Sequence, residues 1–196
     1  MNVLEDWSKL NIEDQKTKQE FDDMMGDYDL MIEEAGYDLP AKLLELIPYF
    51  GFFGDYGTIL DLCCGTGKVG ESLCNSKRHI TGIDFSNNIK IAHEKGVYDS
   101  LIQQDVNNLP CFITKFDYVF MIGSLTYFNP QKIFEEICQK IQFEKFYFSH
   151  RVDLIDNEFM KSLEMFSVVK QLDNISYLPK SDFYKDKPIN LYMVKK

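Results

Sequence analysis

The sequence lacks an apolar run of about 18 residues, so no transmembrane helix is expected. Its N-terminal stretch, "MNVLEDWSKLNIEDQ", has neither the basic region nor the apolar run of a secretory signal, which points to the cytoplasm. Five cysteines (Cys63, Cys64, Cys74, Cys111, Cys138) include no C-x-x-C pair. In a reducing compartment they read as small buried thiols rather than a disulfide framework. The three histidines, His79, His93 and His150, lie far apart and complete no H-E-x-x-H or zinc spacing, so no metal site is expected. Basic residues are scarce at the start. Residues 1–40 hold twelve acids and three lysines, a balance of −9, against a whole-chain charge of −10. Such an acidic surface repels phosphate backbones and argues against sequence-independent nucleic-acid binding.

What is present is an ordinary globular composition, 45% apolar over 196 residues, enough for one domain with a sizeable core. Short apolar runs alternate with helical spacing. "TILDL" (58–62), "HITGID" (79–84), "SLIQQD" (100–105), "FDYVFMIGSL" (116–125) and "KFYFSH" (145–150) read as strands. Between them, "KVGESLCNS" (68–76), "SNNIKIAHEKG" (86–96), with Ser86 as N-cap, and "PQKIFEEICQKI" (130–141) read as helices. Residues 154–165 fit a further helix, and 166–178 and 189–194 fit late, antiparallel strands. The order predicts an α/β fold: a doubly wound, Rossmann-like, mostly parallel seven-stranded sheet with an N-terminal helical cap. A single domain over 1–196 follows, with the acidic cap at 1–40, a cofactor-binding core at 41–150, and 151–196 completing the sheet and the acceptor pocket.

The densest signal is "LDLCCGTGKVG". Gly65-Thr66-Gly67-Lys68-Val69-Gly70 matches G-x-G-x-x-G between a strand and a helix, and Asp84 follows about 20 residues later at the end of the next strand. Glycines there let a nucleotide approach the backbone, and the carboxylate can accept from two ribose hydroxyls. The match alone does not separate a dinucleotide from S-adenosylmethionine. Three features favour the latter. Asp61, just before the loop, would repel a pyrophosphate but suits a ligand bearing an ammonium and a sulfonium. Asp105, after the third strand, can accept from an adenine amino group. "MIGSLTYF" ends the fourth strand with small residues where a methionine end would lie. A Walker-type phosphate loop is excluded, because Val69 stands where its Ser or Thr is needed.

In the order "LDLCCGTG", "GIDFS", "QQDVNNLP", "FDYVFMIGSLTYF", the chain resembles class I S-adenosylmethionine-dependent methyltransferases. "YDLMIEEAGYDLP" and "GKVGESL" look most like the small methyltransferase-like family that includes the Williams–Beuren syndrome region protein. The resemblance covers roughly residues 28–150. It implies that Asp61, Cys63, Gly65 and Gly67 shape the loop around methionine and ribose. Asp84 would hold the ribose, Phe85 would lie against the adenine, and Asp105 and Val106 would address the adenine edge. Gly123 would meet the methionine amine, with Tyr28 and Tyr37 closing over the cofactor. Cys63 stands where the family's loop has its first glycine, a variant also familiar from quinone-ring methyltransferases. The family's Pro-Gly-Gly turn before the fifth strand is absent.

Methyl transfer from a sulfonium is an in-line displacement, so the protein chiefly positions the acceptor and excludes water. Where a base is needed, Tyr127 and His150 are the candidates, each at a strand's C-terminal end. No Asn/Asp-Pro-Pro-aromatic motif ends the fourth strand, which lowers nucleic-acid base methylation and leaves a small molecule as the leading acceptor. A nicotinamide-dependent oxidoreductase and a non-catalytic binding protein of the same fold remain alternatives.

Overall fold

The computed structural model describes Gln19 and residues 28–196. The cap expected over residues 1–40 is therefore described only in part: residues 1–27, apart from Gln19, lie outside the described residues. Two helices lead into the sheet, α1 (Tyr28–Glu34) and α2 (Leu39–Leu46), the latter continued by a 3-10 turn over Ile47–Phe50.

Seven strands form one sheet: β1 (Gly57–Leu62), β2 (Arg78–Asp84), β3 (Ser100–Gln103), β4 (Phe116–Met121), β5 (Phe143–Arg151), β6 (Val168–Ile175) and β7 (Ile189–Lys195). Their order is β3-β2-β1-β4-β5-β7-β6. The first five are parallel, and β7 runs antiparallel between β5 and β6. The connecting helices are α3 (Lys68–Leu73), α4 (Ile89–Lys95), α5 (Pro130–Lys140) and α6 (Asn157–Ser162). Strand order reverses between β1 and β4, and open α/β sheets bind ligands at the carboxyl ends of strands beside such a switch.

Alternation along the strands sends side chains to two cores. Leu60, Leu62, Val119, Met121, Phe146 and Phe148 pack with Ile133, Phe134 and Ile137 of α5. Ile59, Phe120, Tyr147, Leu191 and Met193 pack on the other face with Leu39 and Leu43 of α2 and Val69 and Leu73 of α3. At roughly 25 cal/mol per Å² of apolar surface, these two layers are the main source of stability.

Local chemistry accounts for the helix ends. α5 opens with Pro130, and the Asn129 side chain accepts from the Lys132 N–H at 3.1 Å. α4 ends on Gly96 in the left-handed region at φ 66°. Its start differs from the expected Ser86 cap. The Asp84 carboxylate takes the Ser86 N–H at 2.8 Å, and the chain turns through Asn87 and Asn88 before the helix begins at Ile89. The helix expected over 154–165 is shorter, Asn157–Ser162, capped by Asp156 and followed by a 3-10 turn over Leu163–Met165. Among the described residues, no helix is long and apolar enough to cross a membrane.

Candidate functional site

A cavity opens at the carboxyl ends of β1, β2 and β4, with about 710 Å³ of empty space including its mouth. Four separated segments meet there. Tyr28, Ile32, Tyr37 and Pro40 come from α1, α2 and their link, and Cys63–Thr66, Lys68 and Val69 from the loop after β1. Asp84, Phe85 and Ser86 follow β2, and Ile122–Ser124, Tyr127 and Phe128 follow β4.

The loop after β1 is built by backbone bonds. Cys64 N–H donates to the Ile83 carbonyl at 3.0 Å, and Gly67 N–H to the Cys64 carbonyl at 2.8 Å. Cys63 adopts φ 58°, a left-handed conformation that costs a side-chain-bearing residue roughly 1–2 kcal/mol and that glycine adopts freely. Gly65 sits at φ 52°, and an added Cβ there would meet nothing within 4 Å. Burial pushes both the Cys63 and Cys64 thiols up, so neither is a thiolate nucleophile at neutral pH.

Asp84 is 6% exposed at the cavity wall. Its Oδ2 accepts from the Gly65 N–H and its Oδ1 from the Ser86 N–H, each at 2.8 Å. A carboxylate at this place, beside the glycine loop and on the cavity wall, is an acceptor suited to a diol. Gly123, at φ 80°, donates its N–H to Ser149 Oγ at 2.8 Å. A Cβ there would meet the Tyr37 hydroxyl at 2.7 Å, so only glycine lets that phenol rest on the end of β4. Burial holds the Tyr28, Tyr37 and Tyr127 phenols well above their ordinary range, which makes them neutral donors rather than bases.

α1 is fastened across the loop by Asp29. Its carboxylate accepts from Thr66 Oγ1 at 2.5 Å and pairs with Lys95 at 3.2 Å and Lys68 at 3.7 Å.

Of the residues singled out from the sequence, Tyr28, Tyr37, Cys63, Gly65, Asp84, Phe85, Gly123 and Tyr127 line this cavity. Gly67, Asp61, Asp105, Val106 and His150 do not. Asp61 is 1% exposed, on the α3 side of the sheet, where its Oδ2 accepts from the Tyr98 hydroxyl at 2.6 Å. Burial pushes its carboxyl up to about 7, opposed by the Tyr98 hydrogen bond and reinforced by Asp84. Asp105 caps a 3-10 turn, accepting from the Asn107 N–H at 2.9 Å, and Val106 is buried in the α5-side core. The turn after β3 is held to α5, where the Leu109 N–H donates to Glu136 at 2.8 Å.

His150 lies beside this cavity rather than in its wall. It lines a different cavity, with Phe128, Asp156 and Phe159, and its ring stacks on Phe159 at 4.5 Å. Burial lowers its pKa to about 4, so it is neutral and a weak base at neutral pH. Position at a strand's end does not reveal which face a side chain takes. In β5, His150 shares the α5 and α6 side with Phe148. Thr66, Lys68, Ser86, Ser124 and Phe128 were missed; adjacency to the recognised segments was the available signal.

The arrangement fits an adenosine-bearing ligand with a charged amino acid tail. Among the described residues it offers one carboxylate, Asp84, an aromatic at Phe85, and side-chain-free backbone at Gly65 and Gly123. Its wall carries one cation among the described residues, Lys68, which faces Asp29. That charge pattern suits a ligand without a pyrophosphate. Among the described residues, no three His, Cys, Asp or Glu side chains are grouped to hold a metal ion.

Residues 59–142 match the family model described as a methyltransferase domain. YqeM of Bacillus subtilis (strain 168), which carries a methyltransferase name, is 32% identical over 105 residues, 51% of this chain and 40% of YqeM. The chain thus spans 40% of that curated relative's length. Among solved structures, the plantazolicin methyltransferase BpumL in complex with SAH is 14% identical, with a TM-score of 0.65 over 96% of this chain and 93% of its own. The [4+2]-cyclase SpnF is 15% identical, with a TM-score of 0.63 over 80% of each chain. These structural likenesses establish the fold. That a cyclase shares it means the reaction must be argued from the site.

Proposed function

We propose that this chain, whose residues 59–142 match a methyltransferase domain model, transfers a methyl group from S-adenosylmethionine to a small molecule held in the cavity. The observation that carries the reading is Asp84. It stands at the cavity wall at the end of β2, a buried carboxylate hydrogen-bonded to the glycine loop through the Gly65 N–H.

Asp84 holds the ribose diol, and the Phe85 ring covers the adenine. The backbone of Cys63 and Gly65 passes close to the ribose and the methionine portion, and the Gly123 carbonyl accepts from the ammonium. Asp61, behind the loop, adds negative potential toward that ammonium without touching it. When bound, the cofactor supplies an electrophilic methyl group on sulfur. The chain's own work is positional. Tyr28 and Tyr37 close the cavity against water, and the acceptor is directed along the line of displacement. Tyr127, a neutral phenol at the end of β4, orients the acceptor by donating a hydrogen bond. Asp105 and Val106 support the adenine end through the turn they build rather than by contact.

Charge and motif content favour a small acceptor over a nucleic acid, and composition favours a cytoplasmic setting. The narrower kinship with the Williams–Beuren methyltransferase-like family rests on "YDLMIEEAGYDLP" and "GKVGESL" alone. The test is binding of S-adenosylhomocysteine to the full chain, followed by transfer of labelled methyl from S-adenosylmethionine to a panel of small acceptors. Binding of NAD in place of either would overturn the reading.

A further inference from the structure

Tyr98 lies in the turn before β3 and lines no part of the cavity, yet it touches the glycine loop from behind. Its hydroxyl donates to Asp61 Oδ2 at 2.6 Å and accepts from the Gly70 N–H at 3.2 Å. Asp61 stands in β1 just before the loop, and Gly70 in the first turn of α3 just after it. A single phenol therefore joins both flanks of residues 63–69.

The ring sits where three side chains are missing. A Cβ on Gly67 would meet Tyr98 at 3.1 Å, one on Gly70 would meet its hydroxyl at 2.6 Å, and one on Gly82 would meet its ring at 2.9 Å. Gly70 is helical, and alanine is intrinsically favoured over glycine in a helix by roughly 1 kcal/mol. The phenol removes that preference.

We propose that Tyr98 is the positioning residue of the cofactor loop: it fixes the end of β1 against the start of α3 through Asp61 and Gly70, and so sets cofactor affinity without touching the cofactor. The inference rests on reading the cavity as the S-adenosylmethionine site. The groups facing Asp61 are Tyr98, Asp84, Cys63, Cys64 and Tyr37. Of these, the Tyr98 hydroxyl is the one that draws the Asp61 proton off, against burial and Asp84. Affinity for an ammonium-bearing ligand rises as Asp61 ionises, and Tyr98 places that rise within the neutral range.

The test is titration of the full chain with S-adenosylhomocysteine from about pH 5.5 to 8.5, the range spanning the shifted carboxyl. Tyr98→Phe keeps the ring and loses both hydrogen bonds. It should bind about tenfold more weakly at neutral pH, with the midpoint of its affinity curve raised by about one pH unit. Gly70→Ala should lower the melting temperature of the wild type and raise it in a Tyr98→Ala background, a reversal of sign that only the ring contact produces. Wild-type affinity and midpoint in Tyr98→Phe, or the same effect of Gly70→Ala in both backgrounds, overturns the inference. If Tyr98→Phe does not fold, Asp61→Asn decides: affinity independent of pH supports the proposal, and an unchanged midpoint near neutrality overturns it. A wild type that takes up no S-adenosylhomocysteine at any pH removes the cofactor reading itself. A wild type that binds beside an indifferent Tyr98→Phe removes only this inference.

Discussion

The loop after β1 and the helix α1 lying across it face the same cavity, but different forces hold them. The loop is fixed from inside the protein by backbone bonds to Ile83 and Cys64, by the buried Asp84 carboxylate, and by Tyr98 behind it. Hydrogen bonds in such low-dielectric surroundings are costly to break, because the parted groups find no water. α1 buries Ile32, and its polar fastening is the Asp29 cluster, where the aspartate side chain is 34% exposed. Ion pairs this wet contribute about 0–1 kcal/mol each. The difference assigns geometry to the loop and access to the helix: one part must not move when a ligand binds, and the other can open to admit it.

The comparison predicts graded effects. Asp84→Ala should be the most damaging. Losing a carboxylate that accepts two hydroxyls costs ~1.5–3 kcal/mol, roughly tenfold to more than a hundredfold in affinity for S-adenosylhomocysteine by calorimetry. An effect as small as that of a distant exposed acid such as Asp182 would break the assignment.

Asp29→Ala should weaken the same binding by only about three- to tenfold, chiefly by faster release. Hydrogen exchange over α1 should quicken while the loop stays protected. Added salt should mimic the substitution on α1 and leave the loop unchanged. Equal acceleration in both regions would mean that they open as one unit.

Cys63→Gly should be close to neutral for binding and should stabilise the fold by up to about 1 kcal/mol, since glycine adopts φ 58° without strain. Thermal melting with and without ligand checks both parts. A large loss of affinity would give the thiol a role in the cavity.

His150→Phe should change affinity least, by no more than about twofold, because its ring faces the neighbouring cavity. It should also remove an acid sensitivity. A histidine whose folded pKa lies near 4, below its ordinary 6.5, stabilises the fold above 6.5. That contribution is lost as the pH falls through this window. Melting curves at falling pH should therefore part, with the variant holding its stability where the wild type declines.

Much of this architecture is legible in the sequence for a physical reason. Strands buried on both faces must be short and apolar, and the runs at 58–62, 79–84 and 116–121 carry that mark. The loop and Asp84 are legible because backbone approach demands glycine at fixed spacing and the β–loop–α unit sets the distance to the next strand's end. The two ties that differ most in character were hidden. Asp29 to Thr66 and Tyr98 to Asp61 each span 37 residues, and neither member looks unusual among its neighbours. Asp29 is one acid in an acidic stretch, and Tyr98 one aromatic in a turn. The place of His150 was hidden for a related reason: spacing gives the end of β5 but not the side of the sheet that a given residue faces.

The central claim is that the cavity between loop and helix is an S-adenosylmethionine site organised by Asp84. The most direct measurement is calorimetric titration of the full chain and its Asp84→Ala variant with S-adenosylhomocysteine, with NAD as the competing ligand. The account predicts one-to-one binding of S-adenosylhomocysteine that the variant loses, and no heat with NAD. Heat with NAD and none with S-adenosylhomocysteine, or equal binding by both proteins, would contradict it.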